Sequence, residues 1–244
     1  MKILGLDSSG LVASAAIVED GILLAEYTTN YKKTHSQTLL PMLDEIRKMI
    51  DLNLAEVDAI AIASGPGSFT GLRIGAATAK GLGLALDKPL VEVPTLEGLA
   101  YNLCGCKQLV CPLMDARRNQ VYTGIYEFIK EKQEYELGIV ESQCAVDITE
   151  MISKLNELDR EVIFLGDGVP VYQKVLEEQL RVPYSFAPAN NNRQRAASIA
   201  ALGAIYYKEG KTVSAAAHQP EYLRKSQAER EQEEKLKQER TEIQ

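Results

Sequence analysis

The chain has 244 residues, 45% of them hydrophobic, which suffices for one large core or for two lobes of ordinary domain size. Its formal net charge of -7 leaves no global basic field, so contact with tRNA or DNA would need a local patch or a partner that supplies one. Met1 and Lys2 lead into a short apolar run ending at Asp7, too short and too soon polar for a signal peptide or membrane span, so a cytoplasmic protein without membrane contact is expected.

Ile3 to Leu6, Ala13 to Val18 and Ile22 to Tyr27 read as three strands, and Asp20-Gly21 between the last two is a hairpin signal. A helix from about Gln37 to Ile50 follows, with Leu39, Leu40, Met42, Leu43, Ile46, Met49 and Ile50 at helical spacing and Pro41 expected in its first turn. Ala59 to Ala63 reads as a buried strand, residues 70 to 86 as a helix, Leu90 to Val93 as a strand, and Thr95 to Leu103 as a short helix capped by Thr95. The first half is therefore β-β-β-α-β-α-β-α.

The second half resembles the first in order. Leu109 to Met114 and Gln120 to Phe128 read as strands, with a weaker one near Leu137 to Val140. A helix from about Ile148 to Leu158, a strand at Val162 to Leu165, a helix from Pro170 to about Leu180 and an alanine-rich helix from Arg195 to Lys208 complete it. Two lobes are expected, residues 1–106 and 107–217. From His218 to Gln244 the chain holds seven Glu and six Lys or Arg with little apolar periodicity, and reads as a solvated tail. Cys104, Cys106, Cys111 and Cys144 form neither C-x-x-C pairs nor a disulfide framework, and are read as reduced thiols.

The stretch Ser64 to Gly75 is the most informative: a glycine-dense loop runs directly into a helix that stays glycine-rich. Gly71, Gly75, Ala79 and Gly83 recur every four residues on one face, and each glycine costs roughly 1 kcal/mol of helix propensity relative to alanine. Close approach of another backbone would offset that cost, either within this chain or on a second protein.

The doubled β-β-β-α-β-α layout, opening with a strand that ends in Asp7-Ser8-Ser9, resembles the actin, Hsp70 and sugar-kinase superfamily, in which the first hairpin cradles phosphate in a cleft between lobes. Ser8, Ser9 and the Gly10 backbone would donate to an anion and Asp7 would hold a hydrated magnesium ion; a plain turn is the far commoner use of such a cluster. Closer still is a resemblance to the TsaB family of tRNA threonylcarbamoyladenosine synthesis. It rests on Ile3 to Ser9, Thr34-His35-Ser36-Gln37, Ser64 to Gly75, Asp115-Ala116-Arg117-Arg118-Asn119-Gln120-Val121-Tyr122, and Pro220-Glu221-Tyr222-Leu223-Arg224.

That resemblance implies a non-catalytic partner of TsaD, with a degenerate cleft, no cofactor bound by this chain alone, and a nucleotide at most shared at the TsaD contact. TsaD moves the threonylcarbamoyl group from its adenylate to the adenosine beside the tRNA anticodon, and the ATPase TsaE joins the pair; tRNA would be met only through the complex. The contact is expected on the two first-half helices, through Leu39, Met42, Leu43, Ile46, Thr70, Gly71, Gly75, Ala79 and Gly83. In isolation, a homodimer through the same helices and a monomer both stay open.

Where TsaD carries a His-x-x-x-His metal pair, this chain has Thr95 and Leu99, so no chelate forms. His35 and His218 are the only histidines and read as capping or surface residues. Arg117 and Arg118 are suited to a bidentate anion contact or to a solvated hairpin. Gly166-Asp167-Gly168 occupies the superfamily's adenosine region or is a simple strand-to-helix turn. A stand-alone kinase and a metallopeptidase are the rival readings; the first is opposed by the lack of glycine in Asp115-Ala116-Arg117, the second by the missing histidines.

Overall fold

In the computed structural model, which describes residues 1–31 and 34–224, the two halves share one topology. The first contains β1 (Lys2–Asp7), β2 (Ala13–Glu19), β3 (Ile22–Thr29), α1 (His35–Met49), β4 (Ala59–Gly65), α2 (Phe69–Leu86), β5 (Leu90–Pro94) and α3 (Thr95–Ala100). The second contains β6 (Leu109–Asp115), β7 (Gln120–Glu131), β8 (Glu134–Asp147), α4 (Ile148–Leu158), β9 (Val162–Leu165), α5 (Val169–Gln179), β10 (Tyr184–Phe186) and α6 (Ala196–Lys208). The sheet orders β3-β2-β1-β4-β5 and β8-β7-β6-β9-β10 correspond strand for strand. In each, the first strand pairs antiparallel with the second and parallel with the fourth. This is a two-lobed mixed α/β fold with a duplicated five-stranded sheet, the layout that the actin, Hsp70 and sugar-kinase resemblance implies.

Strand alternation decides what covers the first sheet. Ile60 and Ile62 of β4 point to one face and join Leu4, Leu6 and Ile17 beneath α1 and α2. Ala59, Ala61 and Ala63 point to the other, and their small side chains let α6 sit close, with Ile199, Ala200 and Leu202 against them. A Cβ on Gly203 would lie 2.5 Å from that of Ala61, and one on Gly5 would lie 2.3 Å from the Ala196 carbonyl oxygen. Thus α6, although within 107–217, belongs by packing to the first sheet. α3 joins the lobes: Leu96 and Leu99 are buried with Val110, Met114, Tyr126 and Leu165 of the second.

Several local expectations are corrected. α1 begins at His35, so Pro41 is inside the helix rather than in its first turn; its ring is on the exposed side, where the lost hydrogen bond is tolerated. Thr95 does not cap α3; its hydroxyl accepts the Gly65 N–H at 3.1 Å. β8 runs for fourteen residues, because it pairs along the whole of β7 despite its glutamates and a register shift. Residues 218–224 dock on the body, so a solvated tail does not begin at His218; residues 225–244 lie outside the described residues. Among the described residues no helix is long and apolar enough to cross a membrane.

The glycine stripe of α2 is turned inward. A Cβ on Gly71 would lie 2.1 Å from the Ser8 carbonyl oxygen, one on Gly75 2.4 Å from Ser8 Oγ and 3.2 Å from Ile62 Cδ1, and one on Gly83 2.8 Å from Ala215 Cβ. Ala79 is fully buried. The close approach is made within this chain, which corrects the expectation that the stripe faces a partner. Gly75→Leu is therefore expected to overpack the core by about 1–3 kcal/mol or more, lowering the melting temperature by several degrees in a circular-dichroism melt. An unchanged melting temperature would count against this placement.

Candidate functional site

Asp7 closes β1 with its carboxylate buried, and Oδ1 accepts from the Ser9 N–H (2.8 Å) and the Ser9 hydroxyl (2.6 Å). The neighbouring groups turn to α2. The Ser8 hydroxyl donates to the Gly71 carbonyl at 2.9 Å, and the Ser68 N–H donates to the Ser9 carbonyl at 2.7 Å. Ser68 also caps α2, its side chain accepting from the Gly71 N–H at 3.3 Å. The hydroxyls and the Ser9 amide that would cradle a phosphate are thus bonded within the chain. Burial pushes the Asp7 carboxyl up to about 6, against the opposing hydrogen bonds from Ser9. His35 donates from Nε2 to the Gly10 carbonyl at 2.8 Å, so it pins this turn rather than lying on the surface.

Between the lobes lies a cleft of about 750 Å³, with Ser9, Gly10, His35 and Phe69 on one side and Asp115, Arg117, Tyr122 and Asp167 on the other. Glu221 to Arg224 also line it. On the second-lobe side, Arg117, Arg118 and Asn119 all take left-handed backbone angles, with φ of 62°, 57° and 58°. Asp115 holds this turn by accepting the Arg117 N–H at 2.8 Å and the Tyr172 hydroxyl at 3.3 Å. Arg117 faces the cleft, Arg118 is exposed, and neither forms an ion pair among the described residues. Asp167 is half-buried, burial raises its carboxyl, and Oδ1 has no partner among the described residues.

At the positions of the absent metal pair, Thr95 is engaged by Gly65 and Leu99 fills the core between the lobes. Among the described residues no group of three or more His, Cys, Asp or Glu could hold a metal ion. His218, read as a surface residue, is 1% exposed, with Nδ1 2.6 Å from Glu92 Oε1. The cysteines are unpaired, and burial raises the Cys111 thiol to about 12.

The helices α1 and α2 touch, but most of the residues expected at a partner contact lie on their inner faces. Leu39, Met42, Leu43 and Ile46 pack in the first-lobe core with Leu4, Ile17 and Ile62, alongside the inward stripe of Gly71, Gly75, Ala79 and Gly83. Only Thr70 of the expected set is exposed. The outward apolar residues are Leu40 (52% exposed), Met49 (82%) and Leu84 (65%), and around Gly81 there is open space. Periodicity alone had marked a wide apolar face without telling its inner part from its outer. A smaller hollow of about 330 Å³ between β3 and α1, walled by Tyr27, Tyr31 and Pro41, carried no sequence signal.

The family model described as "TsaD: tRNA N6-adenosine threonylcarbamoyltransferase" matches residues 22–232. A Bacillus subtilis protein named tRNA threonylcarbamoyladenosine biosynthesis protein TsaB is 34% identical, over 94% of this chain and 96% of its own length. The chain belongs to the TsaB family. The TsaB of Escherichia coli is 29% identical over 93% of the chain and 96% of that protein. The solved structure of YeaZ from Pseudomonas aeruginosa is similar at a TM-score of 0.71 and 27% identity, covering 91% of this chain and 99% of that one. Membership places the protein in tRNA threonylcarbamoyladenosine biosynthesis.

Asp7 at the head of the TsaB cleft generates a pH dependence. Its folded pKa lies above the ordinary value of 3.8, so the folded state holds the proton more tightly; the stability this contributes is full below about pH 4 and lost as pH rises to about 6. Subtracting the pH profile of the melting temperature of Asp7→Asn from that of the wild type is expected to leave a fall between pH 4 and 6, then a plateau. A flat difference would mean that the carboxylate is not buried in solution.

Proposed function

We propose that this chain is a non-catalytic subunit that binds TsaD through the outer faces of α1 and α2 and holds it in an active form, with TsaE joining the pair and tRNA met only through the complex. The observation that carries the reading is the outward side of α2: Gly81 stands in mid-helix at a cost of about 1 kcal/mol, with nothing in this chain within reach of a Cβ, one turn from exposed Leu84. Such a glycine admits the close approach of another backbone, and exposed Leu40 on the adjoining helix adds apolar surface of the kind that marks protein interfaces. The partner-binding set is accordingly Leu40, Thr70, Gly81 and Leu84.

A bystander role in the chemistry is supported by the phosphate hairpin, whose Ser8 and Ser9 groups are spent on Gly71 and Asp7, and by Thr95 and Leu99, which are engaged in packing. No nucleotide is assigned to this chain alone. The kinase alternative would require the Ser8–Gly71 and Ser68–Ser9 bonds to break before phosphate could enter. The metallopeptidase alternative has no ligand pair to build on.

Gly81→Leu tests the surface. It adds a side chain where there is open space and raises helix propensity by up to roughly 1 kcal/mol, so the isolated variant is expected to melt no lower than the wild type. It is expected to lose TsaD in a pull-down and to fail to support tRNA modification in cells. Undiminished TsaD binding by both Gly81→Leu and Leu84→Asp would return the contact to another face. Elemental analysis of the dialysed protein is expected to find zinc and iron far below one equivalent; a stoichiometric metal would defeat the non-catalytic reading.

A further inference from the structure

After α6 the chain stays on the body of the molecule. Val213 pairs with Leu90 in both directions at 2.9 Å, and Lys80 Nζ donates to the carbonyls of Ala216 (3.1 Å) and His218 (3.0 Å). Buried His218 lies against Glu92 of β5. The Glu221 N–H then donates to the Ser64 carbonyl at 2.7 Å, directly over Gly65, where a Cβ would fall 2.1 Å from the Glu221 carbonyl oxygen. Tyr222 stacks on Phe69 with ring centres 4.5 Å apart; Arg73 lies 4.0 Å over the Phe69 ring and reaches the Tyr222 hydroxyl at 3.4 Å. All of these anchors are in the first lobe.

The same short segment also grips the second lobe. Glu221 Oε2 accepts from Gln143 Nε2 of β8 at 2.8 Å, and Arg224 Nη1 donates to the Ala116 carbonyl at 2.7 Å. Ala116 opens the left-handed turn of Arg117, Arg118 and Asn119, so two sequence motifs that the functional reading leaves unused meet at one hydrogen bond. We propose that residues 218–224 are a strap that spans the mouth of the interlobe cleft and sets the angle between the two sheets. Two of the connections between the lobes differ in character. The α3 seam is apolar and fully buried, whereas the strap is half-exposed and held at its far end by single polar contacts, which makes it the one of the two that opens first.

The test is amide hydrogen exchange on the full chain. Arg224→Ala cuts a second-lobe anchor, and it is expected to speed exchange on the order of tenfold both at residues 116–120 and, across the cleft, at residues 64–69. Tyr222→Ala, which cuts a first-lobe anchor, is expected to affect the same two segments. Arg224→Lys, which keeps a donor, is expected to restore part of the protection. Small-angle scattering of Arg224→Ala should show a larger radius of gyration with an unchanged far-ultraviolet spectrum. Should Arg224→Ala fail to fold, Gln143→Ala removes the other second-lobe anchor and is read in the same way. If each substitution loosens only the lobe it touches, the strap does not couple the lobes and the proposal is overturned.

Discussion

The contact on which the rest of the molecule depends is the seating of the first turns of α2 on the β1–β2 turn. Gly71 and Gly75 bring the helix axis close enough for Ser8 to bond the Gly71 carbonyl and for Ser68 to bond the Ser9 carbonyl. A side chain at either glycine would collide with Ser8. The glycines weaken the isolated helix, and the tertiary contact that they permit restores the loss. One arrangement thereby orients α2, closes the β1–β2 turn and determines which face of the helix is left for solvent or a partner.

The two lobes have the same topology but are not equivalent. The first sheet is covered on both faces, by α1 and α2 on one side and by α6, from the far end of the chain, on the other. The small residues of β4 and α6 make that return possible, since an alanine-and-glycine floor lets the helix rest close to the strands. The first half is therefore completed only after the second has been made. The strap continues this path, carrying the chain from α6 along β5 to the cleft, where it meets both lobes.

The two sides of the cleft satisfy their charges differently. The Asp7 carboxylate is raised by burial and is satisfied by its own turn, whereas Asp167 across the cleft is raised by burial and has one oxygen without a partner among the described residues. Arg117 and Arg224 bring positive charge to the same mouth, but Arg224 is committed to the Ala116 carbonyl. The Ser8 and Ser9 groups of the first-lobe hairpin are bonded to Asp7 and to α2, so this turn joins β1 to the helix.

The amino-acid sequence by itself determined the doubled order of elements except for β10, whose three residues are too short a run to show a pattern, because period-2 and period-3.6 patterns are local and survive in one dimension. The ends of α4 and β9 were readable to the residue for that reason. It also determined that something must lie close against Gly71, Gly75 and Gly83, since mid-helix glycines need compensation. What it could not determine is which backbone that is: a stripe facing Ser8 and one facing another protein look identical in sequence, and only the packed structure turned it inward and left Gly81 and Leu84 outside. The docking of His218 to Arg224 was hidden in the same way. Its anchors on Ser64, Phe69, Gln143 and Ala116 are distant in sequence and largely backbone or single polar contacts, which leave no periodic trace. Tertiary structure alone decided it, because such contacts depend on where two lobes come to rest and not on the local pattern of any one segment.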